Sequence, residues 1–241
     1  MKPLIYIRCF RRNPMRTLLL TTAAVAAAIA AVGCGKKVVQ QPILETQDTL
    51  PIIKYDMLTD TRDGQTYKTV KIGEQTWIAQ NLNYKTDSSW CYKNADSNCV
   101  KYGRLYTWNA AKEVCPIGWK LPDTADWNRL AKTVGGKRLK ECHEECYYVW
   151  EGAGKKLKSK CGWYKNGNGT DNYGFSALPS GYRFSDGSFG SAGHYGLWWT
   201  ATDGSSDYPY GRDVDYNDDY VYEYNDDKSY GYSVRCVANS P

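Results

Sequence analysis

The sequence predicts an α+β domain within a chain of 241 residues. Two helical segments are expected in the first half of the folded region, at 106–114 and directly after Pro122. After about residue 155 the helical signals end, and Gly, Ser, Asn, Asp, Tyr and Trp dominate. Two helices followed by a loop-rich, mostly antiparallel β half are typical of the α+β class.

The individual elements follow from local patterns along the chain. Residues 67–72 alternate and are rich in β-branched side chains, Gly73-Glu74 provides a turn, and 75–79 complete a predicted hairpin. Asp123 is the predicted N-cap of the second helix, and Asp126 complements the helix dipole. Apolar residues then recur at helical spacing until Gly135. Short strands are expected near 196–201, 214–224 and 232–237.

Composition and charge exclude several classes of protein. Hydrophobic residues make up 42% and aromatic residues 14% of the chain, which excludes a disordered protein. A mean hydropathy of −0.62, with a single long apolar run, excludes a polytopic membrane protein. The formal net charge of +5 comes entirely from residues 1–34, which hold five basic residues and no acidic one. The rest of the chain is formally neutral, and we expect no nucleic-acid partner.

The N-terminal 33 residues are predicted to be a signal peptide. The apolar run 18–32 is shorter than a spanning helix requires, and Arg16 precedes it. Small residues before Cys34 resemble the lipobox of bacterial lipoproteins, which implies a lipid on Cys34 and attachment to the membrane. Gly35 after the cysteine favours the outer membrane or the cell surface. An ordinary secretory signal or a short N-terminal anchor is the alternative, and Met15 is an alternative start.

We expect a flexible tether to follow the lipidated cysteine. Residues 34–58 contain scattered Gln, Pro and aliphatic residues without a clear period. The alternative is that 52–55 add a strand to the domain. The predicted domain then spans 59–241.

Seven cysteines remain in the exported part of the chain, where disulfides are permitted. Cys91 and Cys99 flank a turn-like sequence and are predicted to pair. Cys115 and Cys236 are predicted to join the middle of the domain to its end. Two pairings stay open for the others, Cys142–Cys161 and Cys146–Cys161. A metal site on residues 142–146 with Cys161 is a further alternative.

Several motifs resemble the Fibrobacter succinogenes major paralogous domain over roughly 56–238. They occur in the order of that family, at 63–67, 75–84, 102–108, 115–122, 173–183, 198–199 and 233–237. The resemblance implies an exported, often lipid-anchored domain of unassigned activity, similar in pattern to C-type-lectin-like folds. The stretch 141–150, with its extra cysteines, departs from the family and is interpreted as an insertion.

The segment 202–232 is a candidate ligand-binding face. Tyr and Asp occur eight times each in it, and nine acidic residues accompany only two basic ones. Rigid aromatic side chains mixed with small polar residues are typical of antibody paratopes. The alternative is that the tyrosines simply pack a twisted hairpin. The candidate ligand-binding residues are Trp198, Trp199, Tyr208, Tyr210, Tyr216, Tyr220, Tyr222 and Tyr224.

No catalytic motif and no cofactor are predicted. Asn217, Asp218, Asp226 and Asp227 are weak candidates for calcium ligands, with ordinary solvated turns as the alternative. We expect a lipid-anchored surface protein that binds an extracellular ligand, either a polysaccharide or a protein. Its expected role is polysaccharide binding or adhesion. A structural envelope protein that makes protein–protein contacts is the alternative, and a glycan-active enzyme is the third.

Overall fold

The structure is a computed structural model that describes residues 52–142, 146–204 and 208–239, without the side chains at 141, 142, 146 and 147. The predicted signal peptide, Cys34 and most of the predicted tether lie outside the described residues. Both helices and strands are present in these ranges, so the α+β class is confirmed. Within these ranges, no helix is both long and apolar enough to span a bilayer.

The described residues form four α-helices and fifteen strands. The helices are α1 Asp96–Tyr102, α2 Trp108–Glu113, α3 Thr124–Thr133 and α4 Ala153–Leu157. The strands are β1 Tyr55–Thr59, β2 Thr66–Ile72, β3 Gln75–Ile78, β4 Ser89–Trp90, β5 Leu105–Tyr106, β6 Trp119–Lys120, β7 Lys137–Cys142, β8 Cys146–Glu151, β9 Tyr182–Arg183, β10 Phe189–Gly190, β11 Tyr195–Trp199, β12 Tyr210–Asp215, β13 Val221–Asn225, β14 Tyr232–Ser233 and β15 Val237–Ala238.

The strands are arranged in three sheets. One has five strands in the order β1-β2-β3-β15-β6, and another pairs β9 with β10. The largest has eight strands in the order β4-β5-β14-β11-β12-β13-β8-β7. Its strand pairs are antiparallel except β11 with β14, which are parallel. The last strand, β15, lies between β3 and β6, so the end of the domain is inserted into a sheet built at its start.

The predicted hairpin and the predicted second helix are confirmed. Strands β2 and β3 pair with Ile72 opposite Gln75, and Gly73 in the turn has φ 60°, a conformation that favours glycine. Helix α3 begins with a capping box. Asp123 Oδ1 accepts from the backbone N of Asp126 at 2.7 Å, and Asp126 Oδ2 accepts from the backbone N of Asp123 at 3.2 Å.

The predicted number of two helices is wrong, because the sequence pattern missed two short ones. The predicted turn between Cys91 and Cys99 is a single 3-10 turn followed by helix α1, which begins at Asp96. Helix α4 has only five residues and follows Gly152, whose φ is 75°. Helices of five to seven residues are too short for apolar periodicity to reveal them.

Two predicted boundaries also change. Strand β1 begins at Tyr55, so the last four residues of the predicted tether are part of the five-stranded sheet. The expected strand at 214–224 is a hairpin, because the chain turns between β12 and β13. In this turn Asp215 Oδ1 accepts from the backbone N of Asn217, and Asp218 Oδ1 accepts from that of Tyr220. The predicted insertion at 141–150 lies in the hairpin β7–β8, at one edge of the eight-stranded sheet.

Tryptophan side chains dominate the core. Trp127 of helix α3 packs against Trp77, Phe175 and Trp198, with ring centroids 5.3–5.9 Å apart. A second cluster surrounds Trp199, whose ring lies 4.3 Å from that of Tyr232. Aromatic packing of this kind fixes the central strand β11 against both halves of the domain.

Asn81 connects early and late segments of the domain through buried hydrogen bonds. Its Oδ1 accepts from Trp198 Nε1 at 2.9 Å and from Arg235 Nη2 at 3.0 Å. Its Nδ2 donates to the backbone O of Tyr102 at 2.9 Å. Arg235 is fully buried, and burial lowers the pKa of its guanidinium to about 9. Asn81 therefore supplies one of the acceptors that this buried cation needs, together with the backbone O atoms of Phe175 and Ser176.

The structure contains disulfides between Cys91 and Cys99 and between Cys115 and Cys236. The second one joins the segment after helix α2 to the segment before β15. Cys161 is also disulfide-bonded, and its partner is not among the described side chains. Which of the two predicted pairings is present, Cys142–Cys161 or Cys146–Cys161, therefore lies outside the described side chains. A bonded Cys161 is not available as the third thiolate of the alternative metal site.

Candidate functional site

The predicted ligand-binding residues lie in several different places. Trp198 and Trp199 are fully buried, and their indoles donate hydrogen bonds inside the core, to Asn81 and to the backbone O of Tyr106. Neither indole reaches the surface, which corrects the expectation that they border a ligand. The reason is that β11 is a central strand of the sheet, and its end places Trp198 in one core cluster and Trp199 in the other.

The predicted tyrosines are also dispersed. Tyr216 packs its ring against Tyr164 and His194, with centroids 5.5 and 5.1 Å apart. Tyr220 and Tyr222 contact each other, with their centroids 5.7 Å apart. Separate positions are taken by the exposed side chain of Tyr208 and the half-buried side chain of Tyr210. Tyr224 alone among the candidates lines a cleft at the late strands of the eight-stranded sheet.

This cleft, which we call the tyrosine cleft, has a volume of about 400 Å³. Strands β9, β11, β12, β13 and β14 position most of its lining, and the segments that follow β9 and β13 complete it. The lining residues are Tyr182, Phe184, Tyr195, Leu197, Asp213, Tyr224, Asp226, Tyr230 and Tyr232.

Strand register brings the floor of the cleft together. Leu197 of β11 is opposite Asp213 of β12, and Asp213 is opposite Tyr222 of β13. Because side chains alternate between the faces of a sheet, Asp213 and its neighbour Arg212 point in opposite directions. Arg212 points toward helix α3, where its Nη2 contacts Asn128 and forms an ion pair with Glu223 at 2.5 Å. Asp213 therefore faces the cleft without this cation as a partner.

Aromatic rings form a packed wall on one side of the cleft. Tyr182 lies with its ring centroid 4.7 Å from that of Phe184 and 6.1 Å from that of Tyr232. Tyr230 packs against Phe184 and Tyr232, with centroids 5.8 and 6.2 Å apart. These pairs are close to perpendicular, the edge-to-face geometry that aromatic rings prefer. Trp199 supports the wall from the core side.

The electrostatics of the cleft are dominated by two carboxylates. Asp213 Oδ1 is buried and makes no hydrogen bond within the described residues. Burial, with the nearby charges of Asp215 and Asp218, raises the pKa of Asp213 to about 8. Asp226 Oδ2 accepts from the hydroxyl of Tyr232 at 2.5 Å. The nine lining residues include no Lys, Arg or His.

Tyr195 and Tyr224 of the cleft keep their hydroxyl protons at neutral pH, because their pKa values are raised. Burial, together with Asp215 and Asp213, raises the pKa of Tyr195 to about 12. Burial and the charges of Asp213 and Asp226 hold the pKa of Tyr224 well above its usual value. The hydroxyl of Tyr224 is buried without a hydrogen bond of normal geometry in the described structure. The cleft thus combines flat aromatic faces with unused polar atoms.

Two of the candidate calcium ligands accept hydrogen bonds from residues that follow them closely in the chain. Asp218 accepts from the backbone N of Tyr220 and from the hydroxyl of Tyr222, at 2.9 and 2.8 Å. Asp227 Oδ1 accepts from the backbone N and Oγ of Ser229, at 2.8 and 2.7 Å. In the part of the chain that the structure describes, no three His, Cys, Asp or Glu side chains are grouped as metal ligands.

The sequence interpretation missed most of the tyrosine cleft. Tyr182, Tyr195, Asp213, Tyr230 and Tyr232 were not singled out as ligand-binding residues. The sequence signal that could identify part of the cleft is the alternation along β11, because every second residue of a strand lies on the same face of the sheet. The strand pairing of β11 with β12, which places Asp213 on that same face, has no signal in a single sequence.

Comparison with known protein families matches most of the chain. Residues 70–238 match the sequence model of the family described as the Fibrobacter succinogenes major domain. No curated protein and no solved structure matches the chain significantly. The match covers more than half of the 241 residues and includes every strand that lines the tyrosine cleft. The chain therefore belongs to the Fibrobacter succinogenes major domain family.

Proposed function

We propose that this chain is a lipid-anchored cell-surface protein that binds an extracellular saccharide in the tyrosine cleft. The single observation that carries the proposal is the combination, in one cleft, of an aromatic wall and unused polar atoms. Flat aromatic faces pack against the apolar faces of sugar rings, and carboxylates and hydroxyls bind sugar hydroxyl groups. A few polar groups set among aromatic side chains are typical of small-ligand sites.

The location rests on the N-terminal sequence. An apolar run of 15 residues followed by Cys34 favours export and lipidation, and two or three acyl chains anchor a protein stably. We propose attachment to the outer membrane or the cell surface, with the domain outside. Labelling the full chain with radioactive palmitate tests this step. We expect label on the wild type and none on Cys34→Ala, and equal labelling of both would contradict it.

The proposal includes a C-type-lectin-like fold. In such folds a Cys-Pro-x-Gly-Trp segment precedes a helix, and a late cysteine bonds back to it. Here Cys115 begins such a segment, helix α3 follows it, and Cys236 bonds back to Cys115. This likeness supports ligand binding by loops near the late strands, which is where the tyrosine cleft lies.

A structural envelope protein is the second candidate. The observation that favours it is β1, an edge strand of the five-stranded sheet whose residues are mostly exposed, including Met57. Exposed edge strands offer unpaired backbone groups to another chain. A glycan-active enzyme is the third candidate, because a carboxyl with a raised pKa, such as Asp213, is suited to general acid catalysis.

A glycan array with the full chain tests saccharide binding. We expect retention on at least one glycan class, loss of retention for Tyr230→Ala, and unchanged retention for Tyr220→Ala. Tyr230 lines the cleft and is half-buried, whereas Tyr220 lies outside the cleft and serves as a matched control. Retention on no glycan, together with capture of one specific protein, would favour the structural alternative.

A further inference from the structure

The lining of the tyrosine cleft contains acidic side chains and no basic ones. Asp213 and Asp226 are its carboxyl groups. Acidic groups also act on the lining from nearby: Asp215 and Asp218 raise the pKa of Asp213, and Asp186 and Asp227 contribute to the raised pKa of Tyr230. Arg212, on the opposite face of the sheet, is a basic group that lowers the pKa of Tyr224, although burial and the two carboxylates outweigh it.

The nearest basic side chains are engaged outside the cleft. The guanidinium of Arg183 lies over the ring of Trp90, 3.9 Å from its centroid. Lys228 lies near Trp108, with Nζ 5.4 Å from the ring centroid. Arg212 is on the opposite face of the sheet, paired with Glu223. None of these three side chains is among the lining residues, so a cationic ligand would meet the carboxyl groups of the cleft without competition from a basic side chain of the lining.

The polar atoms of the cleft match the needs of an ammonium group. Such a group has three donors and no acceptor. The cleft offers acceptors in the buried, unbonded Oδ1 of Asp213, in the carboxylate of Asp226, and in the hydroxyl oxygen of Tyr224. Burying a carboxylate without a partner is costly, and a cation in contact with it removes this cost.

The aromatic wall provides a second attraction for a cation. The faces of Tyr rings carry negative electrostatic potential and attract an ammonium group within about 6 Å of the ring centroid. The packed rings of Tyr182, Tyr230 and Tyr232 exclude water from their contacts. A lower local dielectric constant would strengthen the attraction between the rings and an ammonium group. Aromatic faces and carboxylates together favour a cation more strongly than either does alone.

We propose that the tyrosine cleft selects a saccharide unit that carries a protonated amine, an inference that rests on the proposed function. The proposal is based mainly on Oδ1 of Asp213, which is buried and makes no hydrogen bond within the described residues. Ligand binding then couples to a proton, because a cation beside Asp213 favours its ionised form. Asp215 and Asp218 act on this carboxyl. The other titratable side chains that line the cleft are Asp226, Tyr182, Tyr195, Tyr224, Tyr230 and Tyr232.

Three matched oligosaccharides test the inference with the full chain. They are the β-1,4-linked hexamers of glucose, glucosamine and N-acetylglucosamine, which differ only in the group at carbon 2. Calorimetric titrations at about pH 6 and moderate salt compare their dissociation constants. We expect the glucosamine hexamer to bind at least about tenfold more tightly than the other two.

Asp213→Asn keeps the shape of the side chain and removes its charge. We expect this variant to lose the preference for the glucosamine hexamer, so that it binds this hexamer no more tightly than the glucose hexamer. Asp203→Asn removes a charge from the same acidic segment at an exposed position outside the cleft, and we expect it to keep the preference. Titrations in two buffers of different ionisation enthalpy should show release of close to one proton for the wild type and none for Asp213→Asn.

The outcomes separate the two proposals. Equal affinity for the three hexamers would overturn the amine inference and leave saccharide binding intact. A preference that survives in Asp213→Asn would also overturn it, because the attraction would then come from general surface charge. Binding of none of the hexamers would overturn the amine inference, and the glycan array would then decide separately whether the chain binds saccharides. Near-ultraviolet circular dichroism of each variant establishes that its aromatic core is folded.

Discussion

The hydroxyl of Tyr232 donates a hydrogen bond of 2.5 Å to Oδ2 of Asp226. Tyr232 is almost completely buried and packs on Trp199, whereas Asp226 is half-buried at the rim of the cleft. This bond therefore connects the core of the domain to the rim of the tyrosine cleft. It holds one of the two carboxylates of the cleft in a fixed position beside the aromatic wall.

Tyr232→Phe should weaken both stability and binding. The change removes a hydrogen bond to a carboxylate but keeps the aromatic packing, so we expect the free energy of unfolding to fall by about 1–2 kcal/mol. Loss of the bond frees the rim, and saccharide affinity should also fall. Urea unfolding and calorimetric titration measure the two effects. Tyr208→Phe, at an exposed position, is the control and should change neither.

Asp213 should make the domain less stable as the pH rises. Its pKa is raised to about 8, so between about pH 4 and pH 8 the folded state binds a proton that the unfolded state has released. The contribution of this group to stability is complete at low pH. It is lost at up to about 1.4 kcal/mol per pH unit as the pH rises toward 8.

The comparison of Asp213→Asn with the wild type isolates this effect from other titrating groups. We expect the free energy of unfolding of the variant to exceed that of the wild type by a growing margin from pH 5 to pH 8. Denaturant unfolding at several pH values measures this margin. A constant difference between the two proteins across this range would show that Asp213 titrates normally.

Asn81→Ala should be strongly destabilising. The change removes the shared acceptor of Trp198 and Arg235 and leaves a fully buried cation with fewer partners. We expect a loss of about 3 kcal/mol or more in the free energy of unfolding. Asn225→Ala, at an exposed position at the end of β13, should cost less than about 0.5 kcal/mol. Thermal unfolding of both variants tests the contrast, and similar melting temperatures would contradict the connecting role of Asn81.

The two disulfides should differ in their contribution to stability. Cys115 and Cys236 are 121 residues apart, whereas Cys91 and Cys99 are 8 apart. On the chain-entropy model the long loop contributes about 5 kcal/mol and the short one about 2.5 kcal/mol. Replacing each pair by alanines and comparing the free energies of unfolding measures both contributions. A larger loss for the Cys91–Cys99 pair would contradict this order.

Local chemistry made part of the fold predictable. Asp123 and Asp126 indicate the start of helix α3, and Gly73 indicates the turn between β2 and β3, because caps and turns depend on neighbouring residues. Helix α1 was missed because a helix of seven residues, which begins inside the Cys91–Cys99 loop and ends beyond it, shows no clear period. Its position depends on tertiary contacts, which a single sequence does not reveal.

The candidate site was less predictable than the fold. Composition drew attention to the tyrosines and aspartates of the late segment, and of the predicted tyrosines Tyr224 lines the cleft. It placed Trp198 and Trp199 at the surface because aromatic residues occur both in cores and in binding faces. The pairing of β11 with β12 decides that Asp213 faces the cleft while Arg212 faces the core, and strand pairing is a long-range property.

The most direct test of the central claim is a calorimetric titration of the full chain with the best-retained glycan of the array. The account predicts a saturable isotherm for the wild type and for Tyr220→Ala. It predicts at least a roughly tenfold weaker isotherm for Tyr230→Ala, because that change removes one ring of the aromatic wall. Identical isotherms for the wild type and Tyr230→Ala would contradict binding in the tyrosine cleft.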